Sequence, residues 1–327
     1  MRIAILGAGA WGTALAISLS NAHEVRLWTR TGADREALQA TRRSRYLPEV
    51  ELPPSVAIAG AVEQATGAAE LVIAATSTAG LRETCGRLVA AGSRAPLLWA
   101  CKGFEAASGL FAHEVVAQTL PHDVAAGALS GPSFALEVAR GLPAALVLAS
   151  RDAAFAARTA AALNSPRLRI YSSTDVVGVE LGGAVKNVIA IAAGIADGLD
   201  LGTNARAALI TRGLAEMARL GVALGGAAET LFGLAGAGDL ILTATGELSR
   251  NRRVGLELAQ GRPLQDILAH LGHVAEGVRS AKEVARLAKA KGVDMPVSDA
   301  VNAVLGAKLT PAKAVELLLS RDPKKER

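Results

Sequence analysis

The segment Gly7–Gly12 constrains this chain more than any other feature, because it reads GAGAWG and fits the pattern GxGxxG. It follows a short apolar run, Ile3–Leu6, and precedes a stretch with helical character. At such a junction Gly7 permits a tight turn, Gly9 lets the backbone approach a pyrophosphate, and Gly12 lets the helix pack closely on the strand. The first amides of the helix then face the anion. The segment predicts a dinucleotide site, and the alternative is a glycine-rich turn without a ligand.

Short apolar segments alternate with helical ones through the first half of the chain. The strands of a buried parallel sheet are short and apolar, and the helices between them make right-handed crossovers. The strand candidates are Ile3–Leu6, Glu24–Trp28, Val56–Ala59, Leu71–Ala74, Leu97–Ala100, Ala125–Leu129, Ala145–Ala149 and Leu168–Tyr171. This half is therefore expected to form an α/β, Rossmann-like domain with a largely parallel sheet.

The pattern changes near Asp175, where the strand signals end. The predicted helices beyond it are Val176–Leu199, Ala205–Leu220, Leu256–Ala259, Val278–Lys291 and Ala312–Leu319. Glycines such as Gly194 weaken the first of these helices, but they are tolerable where another backbone approaches closely. We expect a dinucleotide-binding domain over residues 1–174 and an all-helical substrate-binding and catalytic domain over residues 175–327.

Composition narrows the class of protein. The net charge of +5 favours anionic ligands such as phosphates. Aromatic residues make up only 3% of the chain and no basic block is interleaved with them, which argues against nucleic acid binding. Cys85 and Cys101 lack metal-ligand or CxxC spacing, so we expect reduced thiols. The apolar N-terminus is interrupted by glycine, serine and threonine, so we expect a cytoplasmic protein with no membrane span.

Arg30 bears on the choice of cofactor. A site selective for NAD usually has an Asp or Glu about 20 residues after the glycines, at the end of the second strand. Here that strand end reads LWTR at Leu27–Arg30, with no acid. Since an arginine can accommodate a 2′-phosphate, Arg30 favours NADP(H), or use of both cofactors, over strict NAD(H). The alternative is a solvated arginine at a strand end.

Lys186 and Asn187 lie in an otherwise apolar helical segment, GGAVKNV at Gly182–Val188. Burial disfavours the charged form of a lysine, and a nearby carboxylate restores it. Such a lysine can donate a proton to a carbonyl oxygen or accept one from a hydroxyl. The alternatives are a lysine that extends to the surface or one that simply pairs with an acid.

Four further segments carry polar groups that suit an anionic substrate. Asp239 follows a GAG turn, and the basic turn Ser249–Arg253 reads SRNRR, in which an arginine could bind a phosphate through two parallel hydrogen bonds. Lys102 and the segment Ser130–Ser133 each follow a strand, at the edge where α/β sheets bind ligands. The alternatives are a helix cap at Asp239, a solvated basic turn, and an N-cap at Ser133.

Seven segments, in this order, resemble NAD(P)-dependent glycerol-3-phosphate dehydrogenases, and the resemblance runs from Met1 to about Leu319. They are GAGAWGTALA at Gly7–Ala16, ACKGFE at Ala100–Glu105, SGPSFA at Ser130–Ala135, VELGGAVKNVIAIAAGIADGL at Val179–Leu199, NARAALITRGLAEMARLG at Asn204–Gly221, GLAGAGDLILT at Gly233–Thr243 and SRNRRVG at Ser249–Gly255. The resemblance implies reversible reduction of dihydroxyacetone phosphate to sn-glycerol 3-phosphate, a glycerophospholipid precursor. It also implies NADP(H) and/or NAD(H) as cofactor and no metal, and it leaves a homodimer open.

The resemblance also implies roles for individual residues, with Lys186 as the catalytic proton donor and acceptor. The implied substrate contacts are Lys102, Gly131, Ser133, Lys186, Asn187, Asp239, Ser249, Arg250 and Asn251. The implied cofactor contacts are Gly7, Gly9, Ala10, Trp11, Gly12, Arg30, Lys102, Ala135, Arg250, Val274 and Glu276. Many family members carry Thr at positions 101 and 133, so Ser133 keeps the hydroxyl group whereas Cys101 does not.

Other classes of protein fit these features less well. A 3-hydroxyacid or 6-phosphogluconate type of dehydrogenase also uses a lysine, but there a catalytic Asn usually follows by several residues, whereas Lys186 and Asn187 are adjacent. Leu214–Val222 mimics the start of a helix-turn-helix, yet the next segment lacks side chains that read bases. His270 and His273 could bind a metal, with only Glu276 close by in sequence. A redox sensor without catalysis would not need Lys186.

Overall fold

The structure of the chain, a computed structural model, describes residues 1–271 and 275–321. It contains all eight strands expected from the sequence, with ends that differ by two residues or fewer. They are β1 (Arg2–Leu6), β2 (Glu24–Trp28), β3 (Val56–Ala59), β4 (Leu71–Ala74), β5 (Leu97–Trp99), β6 (Ala126–Ser130), β7 (Ala144–Ala149) and β8 (Leu168–Ser173).

These strands form one sheet in the order β3-β2-β1-β4-β5-β6-β7-β8. Strands β1 to β6 are mutually parallel, with Ile3 opposite both Val25 and Leu71. Strand β7 runs antiparallel to β6, and β8 is parallel to β7. The prediction of a largely parallel sheet is confirmed, and the carboxyl ends of β1 to β6 share one edge, where ligands bind in sheets of this type.

Helices connect the strands and cover their apolar faces. They are α1 (Ala10–Leu19), α2 (Gly32–Thr41), α3 (Val62–Thr66), α4 (Thr78–Ala90), α5 (Ala112–Thr119), α6 (Ala135–Ala139) and α7 (Ala153–Leu163). Ile5 of β1 and Leu148 of β7 are fully buried and belong to one core with Leu15 of α1 and Phe155 of α7. Burial of each such side chain contributes about 1.5–3 kcal/mol, so the core fixes which face of each helix meets the sheet.

No strand follows β8 within the described residues, and the prediction of an all-helical second half is confirmed. Its elements are α8 (Val176–Gly198), α9 (Gly202–Ala223), α10 (Ala228–Phe232), a π-helical turn (Leu234–Gly238), α11 (Asp239–Thr245), α12 (Arg250–Ala259), α13 (Leu264–Leu271), α14 (Glu276–Lys291), α15 (Pro296–Leu305) and α16 (Pro311–Leu319). The chain divides into two compact units, a sheet unit Met1–Glu180 and a helical unit Leu181–Arg327. The domain boundary expected after residue 174 stays a prediction.

Helix α8 is the longest apolar segment of the chain. Its 23 residues include a window with a mean hydropathy of 1.6, which meets the composition of a membrane span, but 94% of that window is buried inside the protein. A Cβ atom added at Gly194 of α8 would lie 1.9 Å from the carbonyl oxygen of Arg252 on α12. The backbones of α8 and α12 are therefore in direct contact, which explains why this buried helix tolerates glycine.

Candidate active site

The loop after β1 adopts the conformation that its glycines require. Gly7 has a φ of +118°, and a Cβ atom there would lie 2.6 Å from the carbonyl oxygen of Ala75. A Cβ atom at Gly12 would lie 1.9 Å from the carbonyl oxygen of Gly7, whereas one at Gly9 would meet no atom within 4 Å. The loop is thus closely packed on the protein side and open at Gly9.

The open side of this loop is the beginning of helix α1. Gly9 is its N-cap and provides no side-chain hydrogen bond, and Ala10 and Trp11 are only partly buried. The first amides of α1 are therefore available to an anion, and they carry the positive end of the helix dipole. The space beside Gly9 is open, and the amides next to it have no side-chain cap. Both features fit the pyrophosphate of a dinucleotide.

Two hydroxyl groups that the sequence did not single out hold this loop. The carbonyl oxygen of Ala8 accepts hydrogen bonds from Ser44 Oγ at 2.8 Å and from Thr13 Oγ1 at 3.3 Å. Ser44 is 2% exposed and lies 36 residues further along the chain than Ala8. No local sequence pattern predicts a partner so far along the chain, so the contact between Ser44 and Ala8 can be recognised only from the fold.

Arg30 lies two residues beyond β2, at the edge that carries the glycine loop. Its guanidinium is 65% exposed and 3.4 Å from Glu83, which also pairs with Arg87 at 2.8 Å. A pair this exposed contributes little stability. Arg30 is therefore able to turn from Glu83 to a ligand at small cost.

Lys102, Gly131 and Ser133 come together at the ends of β5 and β6. The carbonyl oxygen of Gly131 accepts hydrogen bonds from Lys102 Nζ at 3.2 Å and from Ser133 Oγ at 3.1 Å. The N-cap of α6 is Phe134, so the alternative of Ser133 as N-cap is wrong. Ala135, an expected cofactor contact, is the first residue of that helix. Four of the expected contacts thus lie in one place at the ligand-binding edge.

Lys186 is buried in the helical unit together with an acid. It is 6% exposed, its Nζ atom donates to Asp239 Oδ1 and to Thr243 Oγ1 at 3.0 Å, and Asp239 is 1% exposed. The alternative of a lysine extending to the surface is wrong, and pairing with an acid is confirmed. The two charges of such a buried ion pair depend on each other, because removing one partner leaves the charge of the other without compensation.

The π-helical turn Leu234–Gly238 places Asp239 opposite Lys186. A Cβ atom at Gly182 of α8 would lie 2.5 Å from the carbonyl oxygen of Ala235 in this turn, so the two backbones touch. Such π-helical turns are rare and often occur at functional sites. The close approach brings the carboxylate to Lys186, which lies about one helical turn beyond Gly182 on α8.

Asn187 and Asn251 are also brought together. Asn251 Nδ2 donates to Asn187 Oδ1 at 2.9 Å, and Asn251 Oδ1 accepts from the backbone amide of Gly277 at 3.0 Å. Glu276 begins α14 directly before Gly277. The expected contact Val274 lies outside the described residues.

The residues of the basic turn after α11, Ser249–Arg253, have different partners and therefore different roles. Ser249 is the N-cap of α12 and accepts from the amide of Arg252. Arg252 pairs with Asp197 at 2.7 Å and Arg253 with Glu257 at 3.0 Å. Arg250 is exposed, and no carboxylate of the described chain pairs with it. The alternative of a solvated basic turn fails for Arg252, whose side chain is 17% exposed, and Arg250 is the member suited to bind an anion.

Two further hydroxyl groups lie at strand ends. Among the described residues, Thr76 Oγ1 and Ser130 Oγ are the buried side-chain oxygens without a protein hydrogen-bond partner. Thr76 follows β4 and Ser130 ends β6, at the carboxyl edge.

The structure gives no metal site among residues 1–271 and 275–321, where no three His, Cys, Asp or Glu side chains are grouped to hold an ion. His273 of the suggested histidine pair lies outside these residues.

Family models and full-length relatives identify the family of this chain. The chain matches the family models for the NAD-dependent glycerol-3-phosphate dehydrogenase N-terminus over residues 2–156 and C-terminus over residues 175–316. It is 58% identical to glycerol-3-phosphate dehydrogenase [NAD(P)+] of Dechloromonas aromatica, over 100% of this chain and 99% of that protein. It is 56% identical to the enzyme of the same name from Aromatoleum aromaticum, over the full length of both.

Solved structures give the same result. The crystal structure of glycerol-3-phosphate dehydrogenase from Coxiella burnetii is 41% identical and superimposes with a TM-score of 0.92 over 98% of each chain. D-mandelate dehydrogenase, at 15% identity and a TM-score of 0.65, shares the fold alone. Because both family models match in order and full-length relatives exceed half identity, the chain belongs to the NAD-dependent glycerol-3-phosphate dehydrogenase family.

Proposed function

We propose that this chain catalyses the reversible, NAD(P)-dependent reduction of dihydroxyacetone phosphate to sn-glycerol 3-phosphate. The observation that carries the proposal is the buried group of Lys186, Asp239 and Thr243. Reduction of a ketone requires a proton at the carbonyl oxygen, and a lysine held in a dry, preorganised site is suited to provide it. The names of the curated relatives support this substrate.

When bound, the nicotinamide cofactor supplies the hydride. Lys186 donates a proton to the substrate oxygen as negative charge develops there. Asp239 keeps the ammonium group charged in a buried position and, with Thr243, fixes the direction of its donors. In the reverse direction the same nitrogen accepts the proton.

The remaining polar groups bind and orient the substrate. Lys102, Gly131 and Ser133 are proposed to contact the substrate, and Asn187 offers an amide group next to Lys186 in the sequence. Ser249, Arg250 and Asn251 are suited to the phosphate, with the Arg250 guanidinium as the main cation. The phosphate does not react, so its binding free energy serves to position the carbonyl group.

The cofactor contacts follow the same logic. Gly7, Gly9, Ala10, Trp11 and Gly12 bind the pyrophosphate region, and Arg30 binds the 2′-phosphate of NADP(H). Lys102, Ala135, Arg250, Val274 and Glu276 complete the contacts. The proposed domains are residues 1–174 and 175–327. The proposal places the protein in the cytoplasm, where it supplies glycerophospholipid synthesis, and it leaves a homodimer open.

A steady-state assay at 340 nm with dihydroxyacetone phosphate and either NADH or NADPH tests this function. We expect turnover with both cofactors, a preference for NADPH and no activity with 3-hydroxyacids or 6-phosphogluconate. Activity with those acids and none with dihydroxyacetone phosphate would instead identify the related type of dehydrogenase.

A further inference from the structure

Glu180 is a buried carboxylate that the proposed reaction does not use. It lies at the end of the sheet unit, on α8, and its side chain is 5% exposed. Oε1 accepts from Trp99 Nε1 at 2.8 Å and from the His113 backbone amide at 2.9 Å, and Oε2 lies 2.5 Å from His113 Nδ1. Burial raises the pKa of Glu180 above its ordinary value, and the bonds from His113 and Trp99 offset only part of that rise.

A cavity of about 10 Å³ lies beside this carboxylate, inside the sheet unit. That volume holds one water molecule, which needs two to four polar partners to stay bound. The lining includes Glu180, Lys102 and Ser130, together with the apolar residues Ala112 and Leu129. The lining thus includes two buried residues with polar side chains, Glu180 and Ser130, beside Lys102.

Ser130 provides the second observation. It is 6% exposed, and its Oγ atom has no hydrogen-bond partner within the described protein. A buried hydroxyl group without a partner costs about 1–3 kcal/mol, so such groups are rare in folded proteins. A bound water would remove this cost.

We propose that Ser130 and Glu180 bind one water molecule in this cavity, and that the water holds Lys102 in position at the substrate site. The first part stands on the cavity alone, and the second rests on the proposed function of Lys102. Ser130 and Glu180 are thus positioning residues, and Lys102 is the group that they act through.

The available donors and acceptors match such a water. A carboxylate accepts about four hydrogen bonds, of which Glu180 uses three within the protein. The Ser130 hydroxyl can donate or accept, and the Lys102 ammonium, which donates to the Gly131 carbonyl oxygen, can donate more than one hydrogen bond. The water donates to Glu180, bonds with Ser130 and accepts from Lys102, which places a negative group one water away from the ammonium.

The thermal stability of Ser130→Ala tests the water by the sign of its effect. If the hydroxyl binds water, its removal loses a hydrogen bond and lowers the Tm. If the hydroxyl is unpaired, its removal relieves an unsatisfied buried group and raises the Tm. Ser150→Ala is the matched control, because Ser150 is a buried serine whose Oγ donates to the Ala126 carbonyl oxygen at 2.7 Å, and its loss should lower the Tm.

Crystal structures of the wild type and of Ser130→Ala test both parts directly. We expect a water within hydrogen-bond distance of Ser130 Oγ and Glu180 in the wild type. In the variant we expect the water to be absent and Lys102 Nζ to have moved away from the Gly131 carbonyl oxygen. A dry wild-type cavity, or a raised Tm, would overturn the water site, and an unmoved Lys102 would overturn the positioning role.

Kinetics provide a readout that a general structural role would not give. Ser130→Ala and Glu180→Gln should raise the KM for dihydroxyacetone phosphate by about threefold to tenfold, the effect of weakening one hydrogen bond, and change kcat less. Glu216→Gln is the control, because Glu216 is a buried carboxylate in the helical unit that accepts from the amides of Val297 and Ser298. Its KM should stay at the wild-type value.

These measurements separate the two proposals. If the wild type does not reduce dihydroxyacetone phosphate, the proposed function fails, while the Tm and the crystal structures still decide whether the water is bound. If the wild type is active but neither variant changes KM, the positioning role fails and the function stands.

Discussion

The glycine loop of the sheet unit and the Lys186 group of the helical unit place polar groups in an apolar protein in opposite ways. The loop offers backbone amides, and the space at Gly9 is open. The Lys186 group offers buried side chains. On the same helix, α8, the space at Gly194 is filled by the backbone of α12. The glycine loop therefore depends on the absence of a side chain at Gly9, and the Lys186 group depends on the ion pair with Asp239.

Lys186→Met should have the largest effect, because it breaks the second arrangement in two ways. Loss of the proton donor should lower kcat by about a hundredfold or more. Asp239, 1% exposed, would lose the ammonium group that compensates its buried charge, which should cost about 3–5 kcal/mol of unfolding free energy. Assays and urea unfolding measure both effects.

The double variant Lys186→Met, Asp239→Asn separates the two consequences. It also removes the buried negative charge of Asp239, so most of the stability should return while the activity stays low. A folded Lys186→Met protein with near-wild-type turnover would show that Lys186 is not the proton donor.

Arg250→Ala tests the exposed part of the helical site, where the charge has no partner in the described chain. It should cost about 2–4 kcal/mol of transition-state stabilisation with dihydroxyacetone phosphate and largely spare dihydroxyacetone. The measured quantity is the ratio of kcat/KM for the two substrates. Arg253→Ala is the matched control, since Arg253 pairs with Glu257, and a ratio that falls equally in both variants would exclude Arg250 as the specific phosphate contact.

A pair of glycine substitutions sharpens the comparison between open and filled space. Gly194→Ala should lower the unfolding free energy by about 3 kcal/mol, because the methyl group would overlap the Arg252 carbonyl. Gly9→Ala should change stability by less than about 0.5 kcal/mol, because its methyl group meets no protein atom.

The same Gly9→Ala variant should weaken binding of the cofactor by about tenfold, equivalent to about 1.4 kcal/mol. Urea unfolding and titration with NADPH measure the two quantities separately. Unchanged affinity for NADPH would mean that the open space at Gly9 is not where the pyrophosphate binds.

Arg30→Glu changes an exposed side chain, so it should alter the choice of cofactor and not the stability of the fold. We expect the ratio of kcat/KM for NADPH and NADH to shift towards NADH by about 1–3 kcal/mol, through loss of a charge-assisted contact with the 2′-phosphate. Arg94→Glu makes the same charge change at a residue that pairs with Asp123, and it should leave the ratio unaltered. Equal shifts in both variants would indicate a general effect of charge.

The sequence predicted the sheet unit better than the helical site, for a physical reason. Strand length, apolar character and the glycine pattern are local properties, so all eight strands and the loop could be located. The reversal of β7 could not, because strand direction is decided by pairing with β6. The partner of Lys186 lies 53 residues away, and the π-helical turn that places it has no distinct periodicity.

The same contrast holds for single residues. Asp239 and Arg250 could be proposed from their motifs, but only the fold shows that Arg252 and Arg253 are engaged in ion pairs. Ser44 belongs to no motif, and Ser130 belongs to the SGPSFA segment without being assigned a role there, because the role of a buried hydroxyl group depends on its neighbours in the fold.

The distribution of aromatic side chains has a practical consequence for spectroscopy. All three tryptophans and both tyrosines of the chain, Trp11, Trp28, Trp99, Tyr46 and Tyr171, belong to the sheet unit. Intrinsic fluorescence therefore reports on the sheet unit alone, whereas far-ultraviolet circular dichroism reports on both units. Trp11 stands in the first turn of α1, beside the glycine loop, so its emission is placed to be quenched by a bound reduced nicotinamide. The helical unit contains no tryptophan or tyrosine, so a single tryptophan introduced there would add a fluorescence signal that reports on the unfolding of that unit.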